Sequence, residues 1–325
     1  MSQPSNSHSS KSFDTPWLYS FWKFSRPHTI IGTSLSVFGL CAIAIALTPS
    51  AVSPPILPLI TAWIACLCGN IYIVGLNQLE DVAIDKINKP HLPIAAGEFS
   101  QEQGQIIVKI TGILALLLAV LGGPWLLATV SISLLLGTAY SLQPIRLKRF
   151  PFWAAFCIYT VRGIIVNLGL FLHSVWLLTN GSDRFNFERH FYQLSLPPEI
   201  WGLTLFILAY TLAIAIFKDI PDIKGDREYH ITTFTIHFGA KAVFNLARWI
   251  LTGCYLGMVI LGWWLLPGVN PIFVAIAHIT ALIILWWRSL SVDLENQAAI
   301  AAYYQFIWKF FFLEYLLFPV ACFLA

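Results

Sequence analysis

From Ile56 to Leu76 the chain runs 21 residues without a charged side chain. A helix of that length is about 30 Å long, enough to cross the hydrocarbon core of a bilayer. In that medium no water satisfies the peptide groups, so a spanning segment must be a helix or part of a closed barrel. Comparable runs recur along all 325 residues, of which 58% are hydrophobic and 11% charged, with a mean hydropathy of +0.73. Soluble domains carry roughly 25% charged residues. The fold class expected is therefore all-α, a polytopic membrane bundle embedded in a lipid bilayer. The net charge of +3 is too small to argue for nucleic acid as a partner.

Turn and polar residues divide the apolar stretches into nine spans. They are about Thr29–Thr48, Ile56–Leu76, Gln105–Leu121, Pro124–Leu142, Phe152–Leu178, Ile200–Phe217, Val243–Leu266, Pro271–Trp287 and Phe306–Leu324. Lys109 interrupts the third, and Lys309 and Glu314 the ninth. Before the first span, aromatic and basic residues from Phe21 to His28 read as an interfacial approach with proline at the helix start. Residues 1–20 are expected to form a disordered tail. Residues 21–325 are expected to form a single transmembrane domain, with halves at about 21–150 and 151–290 plus a ninth helix. The Ser-rich start has no apolar region of the secretory type, and its single lysine without arginine supports a transit peptide only weakly. The six cysteines form no CxxC pair and read as small buried hydrophobes.

Charge asymmetry orients the bundle. With the N-terminus in the cytoplasm, fifteen of the 19 lysines and arginines fall on the cytoplasmic side or its helix ends. Only Arg184 and Arg189 fall on the other side, in line with the positive-inside rule. The same orientation brings two acidic clusters to one face. Asn77, Asp81 and Asp85 follow the second span at i, i+4 spacing, which stacks them along one helix face. Asp222 and Asp226 follow the sixth span with the same spacing. Asp81 and Asp222 are 141 residues apart, as are Asp85 and Asp226, and Lys218 occupies the frame of Asn77.

Carboxylates stacked in this way repel unless a positive charge lies between them. A hard divalent cation with substrate phosphate as further ligand suits all-oxygen donors, and Mg²⁺ is the natural candidate. Taken alone, the first ladder reads equally well as a solvated acidic helix end; the matched second ladder at the same level favours a diphosphate site. Arg146, Lys148 and Arg149, in the loop between the fourth and fifth spans, serve orientation and could also meet that anion. Lys218 and Lys224 are interleaved with the second cluster and would act as point charges.

Arg162 and Glu314 lie about ten residues inside their spans, roughly 15 Å deep. Charges at that depth face the bundle interior and tend to pair. An ion pair between them, or a shared polar partner such as Asn167, is one reading; a place in a substrate cavity is the other. The aromatic content, 24 Phe, 13 Trp and 11 Tyr, suits an interfacial belt and also a cavity that stabilises positive charge. Two other classes fit less well. A transporter would concentrate its ionisable groups near mid-bilayer, and a non-catalytic assembly factor has no need for matched ladders.

Together, NxxxDxxxD at 77–85, YSxxPxRxKR at 140–149 and DxxDxxGD at 219–226 on a nine-span frame resemble the UbiA superfamily of intramembrane aromatic prenyltransferases. The resemblance extends over nearly the whole chain. Arg26–Thr33, Gly75–Ala95, Lys218–Asp226 and Phe306–Lys309 are similar to the homogentisate phytyltransferase branch of tocopherol synthesis. The short N-terminus is more like a cyanobacterial member, which implies a thylakoid or plasma membrane. The resemblance implies transfer of a phytyl group from phytyl diphosphate to homogentisate, with loss of CO₂ and diphosphate and with Mg²⁺ as cofactor. It assigns Asn77, Asp81, Asp85, Asp222 and Asp226 to the metal, and Asp81, Asp85, Asp222 and Asp226 to catalysis. Lys218, Tyr140, Arg146 and Lys148 would bind diphosphate, and Arg26 and His28 the acceptor. A homogentisate solanesyltransferase or a chlorophyll-synthase-like enzyme is the nearest alternative.

Overall fold

The computed structural model describes residues 16–48, 56–180, 196–218, 220 and 234–325. Every regular element among them is helical. An amphipathic helix, α1 (Trp17–Phe24), leads into α2 (Pro27–Leu47), α3 (Ile56–Glu80), the short α4 (Val82–Asn88), α5 (Gln101–Gly122) and α6 (Pro124–Ser141). Next come α7 (Pro151–Tyr159), a π-helical turn (Thr160–Ile165) and α8 (Val166–Asn180), which together make the fifth span. The chain continues through α9 (Pro198–Phe217), the five-residue α10 (Phe234–Phe238), α11 (Ala240–Trp264), α12 (Pro271–Leu290) and α13 (Gln297–Phe323). Among the described residues nine segments are long and apolar enough to cross a membrane. All six cysteines are unpaired.

Local capping chemistry explains where the observed helices outrun the expected ones. α5 starts at Gln101 rather than Gln105 because Ser100 and Gln103 form a reciprocal capping box. α13 starts at Gln297, nine residues before the expected Phe306, because Asn296 Oδ1 accepts the N–H groups of Ala298 and Ala299 at 3.0 and 3.2 Å. α1 begins at Trp17, inside the stretch expected as tail.

Successive spans are neighbours, and the last packs against the first: α2 touches α3, α3 touches α5 and α6, and α13 returns to α2. The spans thus close a ring. Gly123, between α5 and α6, has φ +104 and lies against Trp176, so a side chain there would be both strained and obstructed. α1 exposes Trp17, Leu18, Tyr19 and Trp22 on one side, as an interfacial helix does. Its other side buries Phe24 against Ile71, Ile94, Phe99 and Val108. Gln78 Nε2 donates to Phe24 O at 2.8 Å and joins the end of α1 to α3.

Glu98 clamps α1 from the loop before α5, accepting from Ser20 Oγ at 2.7 Å and from Lys23 Nζ. Burial opposes its ionisation, but the bonds from Lys23 and Ser20 prevail and hold the carboxyl below its usual range. A depressed carboxylate contributes stability above its unfolded pKa and loses it as pH falls through the folded value. Glu98→Gln is therefore expected to loosen α1 at neutral pH by about 1 kcal/mol or less. The difference from wild type should vanish in strong acid. Amide exchange across Trp17–Phe24 at both pH values checks this.

Candidate active site

The first acidic ladder keeps its spacing although one continuous helix is replaced by two. α3 ends at Glu80, Asp81 leaves helical geometry (φ −112, ψ 17), and α4 resumes at Val82. The main-chain bonds from Asp81 N to Asn77 O (3.1 Å) and from Asp85 N to Asp81 O (2.8 Å) carry the i, i+4 register across the break. Asp81 Oδ1 accepts Arg146 Nη2 at 2.8 Å, while Oδ2 accepts Lys148 Nζ at 2.6 Å and Asn77 Nδ2 at 3.1 Å. The charge expected between the carboxylates is thus supplied here by the protein's own basic loop. Arg26 Nη2 reaches Asn77 Oδ1 at 3.5 Å.

Arg26 and Arg146, the two non-glycine residues of positive φ among those described, both serve this cluster. Such backbone conformations are costly and concentrate at functional sites. Burial pulls the Arg26 guanidinium below its usual pKa, opposed by the charges of Asp85, Tyr140 and Asp81. Burial likewise lowers the Lys148 ammonium, with Asp81 opposing. Asp85 is buried, and its Oδ2 has no hydrogen-bond donor among the described residues. Burial holds its carboxyl above the ordinary range against the pull of Lys89, Arg26 and Lys148. A hard cation is the partner that such an oxygen lacks, and the donor set Asn77, Asp81 and Asp85 is all oxygen, so these residues fit Mg²⁺.

Asn77 also lines a cavity of ≈ 800 Å³ enclosed by α2, α3, α6, the π-turn with α8, α9 and α13. Its polar end presents Arg26, His28, Tyr140 and Lys218, together with Lys89 and His91. Lys218 caps the C-terminus of α9. Asp222 and Asp226 lie outside the described residues, as do Asp219 and Lys224. The rest of the lining is largely apolar and aromatic, including Ile73, Leu134, Trp308, Phe311, Phe312 and Tyr315.

The expected Arg162–Glu314 pair is not made. Glu314, 1% exposed, has Oε1 3.3 Å from His278 Nε2. Arg162 instead lines the cavity, with its guanidinium carbon 4.7 Å from the Trp308 ring centroid and 5.9 Å from that of Phe311. Asn167 does not join them: it accepts from Tyr315 Oη at 2.8 Å and donates to Gly163 O. Helix rotation explains the separation. Trp308, Phe311 and Tyr315 share one face of α13, and Glu314 is turned about 120° from Trp308, towards α12. His278, a lone histidine in an apolar span, was missed from sequence; its burial in the membrane was the available signal.

An intramembrane helical ring holding an acidic and basic cluster over an apolar cavity defines a membrane enzyme handling an amphiphile with a charged head. The chain belongs to the UbiA prenyltransferase family, whose model matches residues 36–310. It is 52% identical over 94% of its length to the homogentisate phytyltransferase of Synechocystis sp., covering 96% of that protein. It is 39% identical over 93% of its length to the chloroplastic homogentisate phytyltransferase 1 of Arabidopsis thaliana, covering 75% of that protein. The fold is shared with a UbiA homolog from Archaeoglobus fulgidus solved with GPP and Mg²⁺ (TM-score 0.58, 13% identity, 94% of this chain and 100% of that one).

Proposed function

We propose that this enzyme transfers a phytyl group from phytyl diphosphate to homogentisate with release of diphosphate and CO₂, in tocopherol biosynthesis, and that its site opens on the cytoplasmic side of the membrane. The observation that carries this reading is the bonded cluster of Asn77, Asp81, Arg146 and Lys148, joined through Asn77 to an aromatic-lined cavity. The similarity to the Synechocystis phytyltransferase supports the choice of substrates. The relatives that include a homogentisate solanesyltransferase at 36% identity keep donor length the nearest alternative.

In this reading Asn77, Asp81 and Asp85, with Asp222 and Asp226 from the second cluster, would hold Mg²⁺. Bound there, the ion supplies Lewis-acid stabilisation of the departing diphosphate. Arg146, Lys148, Lys218 and Tyr140 take up the charge that develops on the same oxygens. The allylic C–O bond breaks with its electron pair leaving on diphosphate, and the aromatic ring attacks the allylic carbon. The apolar walls exclude water that would otherwise capture the cation, and their rings stabilise positive charge. Arg26 and His28, at the mouth, receive the acceptor. The ring proton released on C–C bond formation balances the proton taken up by the benzylic carbon as CO₂ departs, leaving a methyl group.

Carboxyl-labelled homogentisate, phytyl diphosphate and Mg²⁺ given to the purified protein test the proposal. Label is expected in CO₂ in step with prenylated product. A product that keeps the carboxymethyl group would refute the decarboxylative reaction, and a preference for chlorophyllide would move the enzyme to another branch.

A further inference from the structure

The geometry points to Arg162 as the anchor for the carboxylate of the aromatic acceptor, in a subsite that it forms with Trp308 deep in the cavity. This rests on the proposed transfer to an aromatic acid and names the group that selects the acid.

Arg162 is ionised at any accessible pH, and it lies about ten residues inside its span, roughly 15 Å from the cytoplasmic end. Among the described residues it makes no ion pair or hydrogen bond: its guanidinium packs against the rings of Trp308 and Phe311, with Tyr304 and Tyr315 near enough to interact electrostatically. The buried carboxylate of Glu314 is engaged by His278, and the Asn167 amide by Tyr315 and Gly163 O. Cation–π contact offsets part of the burial of the charge but uses none of the five N–H donors.

The side chain faces the cavity. It is carried by the π-helical turn Thr160–Ile165 inside an otherwise α-helical span, a distortion frequently found at functional sites. A bare cation in a cavity where an allylic cation forms would raise the barrier to ionisation. An anion delivered with the acceptor removes that conflict, and the planar guanidinium fork fits a carboxylate in bidentate fashion. In the proposed reaction the diphosphate already has Arg146, Lys148, Lys218 and Tyr140. His28 packs edge-on to the same Trp308 ring at 5.8 Å, so the mouth and the deep subsite share one aromatic wall.

The test compares wild type, Arg162→Met and Arg162→Lys as full-length protein in nanodiscs. Equilibrium binding of homogentisate and of its methyl ester is measured without prenyl diphosphate, alongside KM for both substrates and melting temperature. Wild type is expected to prefer the acid by about 10–100-fold, the range for a hydrogen-bonded charge. Arg162→Met should abolish that preference and raise KM for homogentisate by a similar factor, with KM for phytyl diphosphate within about twofold. Arg162→Lys should recover part of the preference, and it carries the test alone if the Met variant does not fold.

Retention of the acid preference in Arg162→Met overturns the inference, as does an equal loss for acid and ester that Lys does not repair. A rise confined to KM for phytyl diphosphate also overturns it and assigns Arg162 to the donor. If wild type transfers no phytyl group, the proposed function fails separately, and the comparison of acid with ester still decides the role of Arg162.

Discussion

Asp85→Asn is expected to reduce turnover by about 10²–10³-fold or more, the usual cost of removing one electrostatic element of a preorganised site, without lowering the melting temperature. The physical basis is that Asp85 contributes nothing to packing that its amide isostere cannot. Its carboxylate is buried and held above its ordinary pKa by burial, with one oxygen lacking any donor among the described residues. A buried anion without a hydrogen-bonded partner opposes folding, so neutralising it is neutral or stabilising. Stability should stay within about 1 kcal/mol of wild type, or about 2–4 °C.

Asp81→Asn should behave differently. It also inactivates, but it strips Arg146 and Lys148 of their common partner, and about 1.5–3 kcal/mol of stability should go with those charge-assisted bonds. Mg²⁺ titration gives a readout besides activity. Added metal should raise the wild-type melting temperature through preferential binding to the folded state, and Asp85→Asn should blunt that rise. Full turnover of Asp85→Asn at low Mg²⁺ would remove this residue from the site.

The second large effect lies far from the chemistry. Glu314→Leu or His278→Leu alone should cost about 3–5 kcal/mol, because each leaves its partner buried and unpaired. The two residues are both 1% exposed, on adjacent helices α12 and α13, with Glu314 Oε2 already lacking a donor among the described residues. His278 Nδ1 lies 2.8 Å from Val274 O, and its Nε2 faces Glu314 Oε1 at 3.3 Å. Removing both polar groups together should be nearly neutral. Thermal denaturation of the two singles and the double variant measures the coupling. If the double variant is as unstable as the sum of the singles, the two groups act independently. Arg162→Met should show no such coupling to Glu314→Leu, since Arg162 meets rings and not this carboxylate.

Span number and the i, i+4 register of the first ladder were legible in the chain itself. Hydropathy over about 20 residues is a local property, and the bilayer leaves the backbone few alternatives to a helix. Helix ends were less legible, since Ser100 and Asn296 extend α5 and α13 through side-chain caps that lie outside the apolar window. The diphosphate-binding candidates were also legible by residue type, yet their present partner was not. Arg146 and Lys148 are drawn to Asp81 across the loop from α6, a separation in sequence that no periodicity encodes.

What the sequence by itself determined is therefore the set of helices, their apolar length and the frame of charges at their ends, because each follows from hydropathy and a fixed 3.6-residue turn. What only the tertiary structure decided is which buried charge meets which partner. Depth in the membrane gave Arg162 and Glu314 equal claims on each other. The rotation of α13 turns Trp308 and Phe311 to the cavity and Glu314 to α12, so the guanidinium meets rings and the carboxylate meets His278. That rotation is set by packing around the closed ring of helices, where every face competes for the interior at once, and no single span carries the information.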